Sequence, residues 1–297
     1  MTYHLVSPYG KHAETWLRGN LHTHTMASDG YLPPWDMVAE YARLGYDFLM
    51  FSDHDLLTPV DALDPRGMVL IPGSEITAEG GHILHVNASR LVPPLKNRQR
   101  VIDRINADGG LAILCHPNWE ASFNHWPQKD LEKLTGYAGI EIYNGIAVRH
   151  PGNADATDRW DRLLGSGRRV WGYGNDDTHK PVDQATAWNM VCAKERSVRG
   201  IVGALQSGRF YVSTGVYIDA IRVSGRRIVV EARNAQCYDI ITDFGRVVAR
   251  VCDTTLNFEV PKEYWDRFTY VRITCHGPAA IQAWTQPFFL EKPGQED

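Results

Sequence analysis

Short apolar runs recur along the first two-thirds of this chain, and most of them end in residues with lone pairs to offer: WLRGNLHTH, YDFLMFSDHD, MVLIPGSEIT, HILHVNA, LAILCHP, GIEIYNG and RRVWGYGNDDTH. Several are nearly continuous hydrophobic stretches, the pattern of strands buried on both faces of a parallel sheet. Helix-like segments lie between them. PPWDMVAEYARLG begins on prolines suited to a first helical turn and stops at Gly45. NRQRVIDRINADGG places Val101, Ile102 and Ile105 on one face and stops at Gly109, and DATDRWDRLLGSG does the same with Trp160, Leu163 and Leu164. This alternation predicts an α/β protein, either a barrel or a doubly wound sheet. The location of the polar residues separates the two. A barrel assembles its site from the C-terminal ends of several strands, where HTH, SDHD, SEIT, CHP and NDDTH all lie. A doubly wound sheet gathers its ligands at one switch point. The barrel is the expectation.

After SVRGIVGALQSG, which reads as a last helix, the pattern changes to short alternating strands separated by Gly and Asn turns, as in GRFYVSTGVYIDAIRVSGRRIVVEARN and TYVRITCHG. Two domains are therefore expected: a metal-binding barrel over 1–207 and a small antiparallel β domain over 208–297. The formal net charge of −4, with no basic run or tail, offers nothing general to nucleic acid or an anionic membrane. No apolar stretch approaches the roughly 20 residues that span a bilayer. The start, MTYHLVSPYGKHAETW, lacks the pattern of a secretory signal, so a cytoplasmic protein is expected. The five cysteines, Cys115, Cys192, Cys237, Cys252 and Cys275, are scattered and form no C-x-x-C, which argues against a disulfide framework or a structural zinc knuckle.

His22 and His24 sit two apart on a predicted strand, so both rings project from one face. Asp177 and His179 repeat that spacing in GNDDTH, and Asp29, His54, Glu75, His82 and His116 fall between the two pairs. Such a set of nitrogen and oxygen ligands, with no thiolate, suits Zn, Mn or Fe. It exceeds what one four-coordinate ion uses, so two or three divalent ions are expected. His4, His12, His125 and His276 read as ordinary hydrogen-bonded histidines.

In order, H-x-H, SDG, DH, Glu, GH, HP and a late D-x-H resemble the polymerase-and-histidinol-phosphatase (PHP) family of metal hydrolases over about residues 16–180. The GRFYVSTG run and the β tail are similar to its metal-dependent phosphoesterase branch, which has carbaryl-hydrolase-like members. The resemblance implies a distorted barrel of seven βα units, although HILHVNA has the alternative of pairing locally with EIT. It also implies three ligand groups. His22, His24, Glu75 and Asp177 would hold one ion; Glu75 would bridge to a second held by His82 and His116; Asp29, His54 and His179 would hold a third. Asp29 stands where some members have histidine. His85 is an alternative to His82, and Asp176 to Asp177, though only Asp177 shares a strand face with His179.

The implied reaction is hydrolysis of a small phosphate ester by a hydroxide bridging the ions, with Asp177 and His179 as catalytic residues. His179, Asp55 and His150 are candidates for the general acid. Arg149 and His150, on the loop after GIEIYNG, are the candidate substrate-binding residues, with Lys180 a further option. Asn118 and Asn144 are candidates to orient substrate, and Trp119 and Trp126 to stack on it. Hydrolysis of a carboxyl ester, carbamate or amide by the same ions is the first alternative; a non-catalytic metal-stabilised module is the second. Membrane and nucleic-acid partners are not expected, and nothing in the sequence speaks to the oligomeric state.

Overall fold

A computed structural model describes residues 4–13, 15–122 and 124–291; the side chains of His4 and His12 fall outside that description. The predicted helices form where their punctuation places them. Pro34–Arg43 buries Met37, Val38 and Tyr41 and ends before Gly45 (φ 76°). Arg98–Ala107 is capped by the side chain of Asn97, which accepts from the Arg100 N–H, and buries Val101, Ile102 and Ile105. Thr157–Gly165 buries Trp160, Leu163 and Leu164, and Val198–Gln206 starts from a Ser197 cap.

The strands fall into three sheets of eleven, five and four, and among the described residues none closes on itself. The expected seven-unit barrel is thus not what the structure shows. Its place is taken by two parallel triplets in different sheets. Leu17–Asn20, Phe48–Met50 and Val69–Ile71 form one; Leu111–Leu114, Gly139–Asn144 and Trp171–Asn175 form the other. The run MVLIPGSEIT is divided at Pro72 into two strands, the second being Gly73–Ile76. That strand pairs antiparallel with Ile83–Val86, Glu75 opposite Leu84, which is the local pairing left open by the sequence. The physical reason is length: residues 77–82 make a connection far shorter than the dozen or more residues a parallel crossover needs. Isolated parallel bridges join the two sheets, Thr23–Thr178 just beyond the strand ends and His54–Glu75 against the strand Gly73–Ile76. The polar tips of both triplets therefore meet.

In the C-terminal part every strand pairing among the described residues is antiparallel. The eleven-stranded sheet runs through residue 207, since Phe210–Ser213 pairs with Trp188–Val191, which pairs in turn with Leu17–Asn20. Near the start of the chain, His4–Val6 pairs with Phe288–Glu291, and His12–Ala13 with Ile218–Ser224. One correction concerns the cysteines. Cys237 and Cys252 form a disulfide across the Cys237–Thr242/Arg246–Val251 hairpin, because antiparallel pairing brings together residues whose spacing carries no motif. Cys115, Cys192 and Cys275 are buried free thiols. Among the described residues no helix is long and apolar enough to cross a membrane.

Candidate metal centre

His22 and His24 leave the end of Leu17–Asn20 fully buried, held by the chain itself. The His22 N–H donates to Asn20 Oδ1 (2.9 Å), and the His24 N–H to the Thr178 carbonyl (3.1 Å). Across the gap, the Asp177 N–H donates to the His22 carbonyl (3.0 Å). Asp177 and His116 both adopt left-handed backbone angles (φ 54° and 31°), uncommon for residues with a Cβ and typical of strained functional turns.

Around this point the predicted residues converge. His22 Nε2 lies 3.4 Å from Glu75 and 3.2 Å from Asp177, and His24 Nε2 lies 3.5 and 3.3 Å from the same two carboxylates. His116 Nε2 is 3.4 Å from Glu75 and His82 Nδ1 is 2.9 Å from it, while its other oxygen is 2.8 Å from His54 Nδ1. Asp29, the most exposed of the set at 54%, faces His54 (3.5 Å) and His179 (3.3 Å). His22 Nε2, His24 Nε2, His54 Nδ1, Glu75 Oε2 and Asp177 Oδ1 are buried and, among the described residues, make no hydrogen bond of good geometry. Buried polar atoms are seldom left so. A cluster of them, all ligand-type and aimed at one another, fits divalent cations. So does the charge: among the described residues the groups that pair with Asp29, Glu75 and Asp177 are imidazoles. Burial alone would raise the Glu75 and Asp177 carboxyls, but the surrounding imidazoles, His22 foremost, hold both well below the usual carboxylate range.

The alternatives separate by position. Asp176 is consumed by the backbone, accepting from the N–H groups of Ala185, Thr186 and Ala187 and from the Tyr41 hydroxyl, so only Asp177 reaches the cluster. His85 points to the other side of its strand, 3.4 Å from Asp108. Asp55 accepts three hydrogen bonds from Thr77 and Ala78 and is unsuited to give a proton to substrate. His179 Nδ1 donates to the Asp177 carbonyl (3.0 Å), turning Nε2 to the cluster.

Two residues of the site escaped sequence reasoning. Glu141, fully enclosed in Gly139–Asn144, lies 2.8 Å from His22 Nδ1 and accepts from the His116 N–H, Asn144 Nδ2 and Asn175 Nδ2, each at 2.8 Å. Its one signal in the sequence is a lone acid inside an apolar run. His125, expected to be ordinary, accepts the His82 N–H on Nε2 (3.0 Å) and faces Glu120 through Nδ1 (3.1 Å), so it props the backbone of His82.

A cavity of about 350 Å³ opens over the cluster, lined also by Trp119, Ile146, Arg149, His150 and Lys180. Arg149 is not free there. Its guanidinium grips Asp183 through Nε (2.5 Å) and Nη2 (2.9 Å), and Nη1 reaches His150 Nε2 (2.7 Å). Asn118 is tied to Asp158 and Arg159. Asn144 reaches Asp177 (3.2 Å), and Trp126 is core, donating to the His82 carbonyl. His276 pairs with Asp239, far from the cluster in the β part.

No protein-family model matches the chain. An 84-residue stretch is 33% identical to a 5'-3' exoribonuclease of Haemophilus influenzae, covering 26% of this chain and 31% of that protein, so the match spans about a third of the relative's length. Among solved structures, a two-domain protein of Bacteroides vulgatus containing a PHP-like metal-dependent phosphoesterase superposes with a TM-score of 0.53 at 19% identity, covering 96% of this chain and 89% of that one. A lesion-specific endonuclease of Pyrococcus furiosus gives a TM-score of 0.46 at 15% identity over 77% of this chain and 62% of that one. The likeness to the Bacteroides vulgatus protein speaks for a shared fold, not for a branch or a substrate.

Proposed function

We propose that this chain, which has the fold of a PHP-like phosphoesterase, is a metal-dependent hydrolase acting on a phosphate ester. The observation that carries this reading is the convergence of buried, unpartnered ligand atoms from His22, His24, His54, Glu75 and Asp177 beneath an open cavity. Two or three ions of Zn, Mn or Fe would be held by His22, His24, Glu75 and Asp177, by Glu75 with His82 and His116, and by Asp29, His54 and His179. When bound, they supply Lewis acidity and a nucleophilic water at neutral pH. The protein's own groups do the rest. Glu141, 2.8 Å from His22 Nδ1, would keep the proton on that nitrogen and leave Nε2 to the ion. Asp177 and His179, the expected catalytic residues, act as fixed ligands at the cavity floor. Asp183 holds Arg149 in one orientation at the wall and accepts the N–H groups of His179 and Lys180, so one carboxylate ties the cationic wall to the His179 loop. Lys180, Arg149 and His150 place donors over the site, as recognition of a phosphoryl group requires.

A small phosphate monoester or diester is the expected substrate. A nucleotide or short RNA is the second reading, favoured by the 84-residue likeness to the exoribonuclease. The test is turnover by metal-loaded protein of p-nitrophenyl phosphate, bis-p-nitrophenyl phosphate, a 5'-phosphorylated oligoribonucleotide and p-nitrophenyl acetate. Turnover of the acetate with none of the phosphates would replace this reading by carboxyl ester hydrolysis.

A further inference from the structure

The two residues after the strand Gly73–Ile76 are gripped from both sides by charged side chains. Asp55 accepts from the Thr77 N–H, the Thr77 hydroxyl and the Ala78 N–H, each at 3.0 Å. From the opposite direction Arg98, the first residue of its helix, donates through Nη2 to the carbonyls of Thr77 (2.9 Å) and Ala78 (2.7 Å). Both peptide units of an exposed loop are thereby saturated by two side chains distant in sequence. The chain then passes over the guanidinium at Gly80, whose φ is 157° and where a Cβ would fall 2.9 Å from Arg98 Nε.

We propose that Asp55 and Arg98 are positioning residues: their clasp on Thr77–Ala78 sets the spacing of Glu75, His54 and His82 on which metal binding depends. This rests on the metal-dependent reading above. The geometry carries it in two steps. Asp55 follows His54 directly, and its own N–H donates to the Glu75 carbonyl (2.8 Å), so the clasp fixes both partners of the 2.8 Å His54–Glu75 contact. His82 comes at the end of the same loop, and the loop's tip, Ala78–Gly80, is exposed. The cost of the arrangement argues against a role in stability alone. Arg98 is only 7% exposed, and its Nε and Nη1 are buried without an acceptor among the described residues. An apolar side chain of similar length would fill that space without leaving donors unmet.

The test uses the full chain, stripped by chelator and titrated with Co(II), read by affinity and by the cobalt absorption spectrum. Arg98→Met removes the donors at similar length, Arg98→Lys restores a donor, and Asp55→Asn weakens the other jaw. The expected result is a folded Arg98→Met apoprotein that binds cobalt roughly 10–100-fold more weakly, the usual effect of removing a group that orients ligands. Its spectrum should be altered and Arg98→Lys should fall in between. Asp55→Asn combined with Arg98→Met should cost less than the sum of the two, because both act through one segment. Parental affinity and spectrum in Arg98→Met would overturn the clasp. If that variant fails to fold, parental binding by both Arg98→Lys and Asp55→Asn overturns it instead. Failure of the parent protein itself to take up cobalt, Zn or Mn would sink the metal reading first, which is a distinct outcome.

Discussion

Nδ1 of His22 lies 2.8 Å from Glu141, although 119 residues separate the two in the chain. Its other ring nitrogen lies 3.2 Å from Asp177 and 3.4 Å from Glu75; in the proposed metal-bound state Glu141 would keep the proton on Nδ1 and Nε2 would be the nitrogen offered to the cation. Glu141 also accepts the His116 N–H, so one carboxylate orients two of the expected ligands.

Replacing Glu141 by Gln should therefore weaken the centre without removing a ligand. The amide accepts on one side only and presents a donor to His22 or to the His116 N–H. Zinc affinity, measured by competition with a chromogenic chelator, should fall roughly 10–100-fold. Unchanged affinity would mean that the His22 orientation has another source.

Removal of ligands should act more severely. Asp177→Asn and His54→Ala should each lower the ions counted per chain by elemental analysis and abolish measurable phosphoesterase turnover. Full turnover by both variants would favour a non-catalytic, metal-stabilised module.

Stripping the metal should destabilise the fold. Without a cation, Asp29, Glu75 and Asp177 are left to the imidazoles around them, and the buried ligand atoms lose the partner a bound ion would supply. An ion present at about a thousand times its dissociation constant stabilises by about 4 kcal/mol, so the melting temperature should fall on adding chelator and recover on adding Zn or Mn. A melting temperature indifferent to chelator would contradict the assignment of ligands.

A pH effect is expected away from the site. Burial pushes the His85 imidazole down to about 4, with Arg90 adding to it against the pull of Asp108. The ring is neutral in the folded protein, whereas in the unfolded chain it protonates near 6.5. Its contribution is therefore complete above pH 6.5 and lost as the pH falls toward 4, by an amount on the order of 3 kcal/mol. His85→Leu should flatten this limb of the urea-unfolding stability of the apoprotein. A variant that tracks the parent across pH 4–6.5 would refute the assignment.

Cys237→Ser should lower stability by about 3 kcal/mol if loop-closure entropy dominates, since the bond closes a 15-residue separation. Metal uptake should not change, because the hairpin lies in the β part. Equal melting of parent and variant under non-reducing conditions would argue that the bond contributes nothing.

What the sequence determined by itself was the chemistry at the strand ends. Strand geometry puts residues two apart on one face, so His22 with His24 and Asp177 with His179 were legible as pairs, and the helices were legible from Pro, Asn and Gly punctuation at Pro34, Asn97 and Gly109. Tertiary structure alone decided how those ends meet. The six residues 77–82 are too few for a crossover helix, so a strand turned back on its neighbour, and the two sheets meet through bridges at Thr23–Thr178 and His54–Glu75. It also decided the partners of each group. Arg149, a candidate to bind substrate, is tied to Asp183; Asp55 serves the backbone of Thr77; Glu141 and His125 orient proposed ligands. Such roles depend on hydrogen bonds that reach across as many as 119 residues. Hydrophobic period and local turn chemistry report on neighbours in the chain, whereas a buried carboxylate finds its partner only once the sheets have packed.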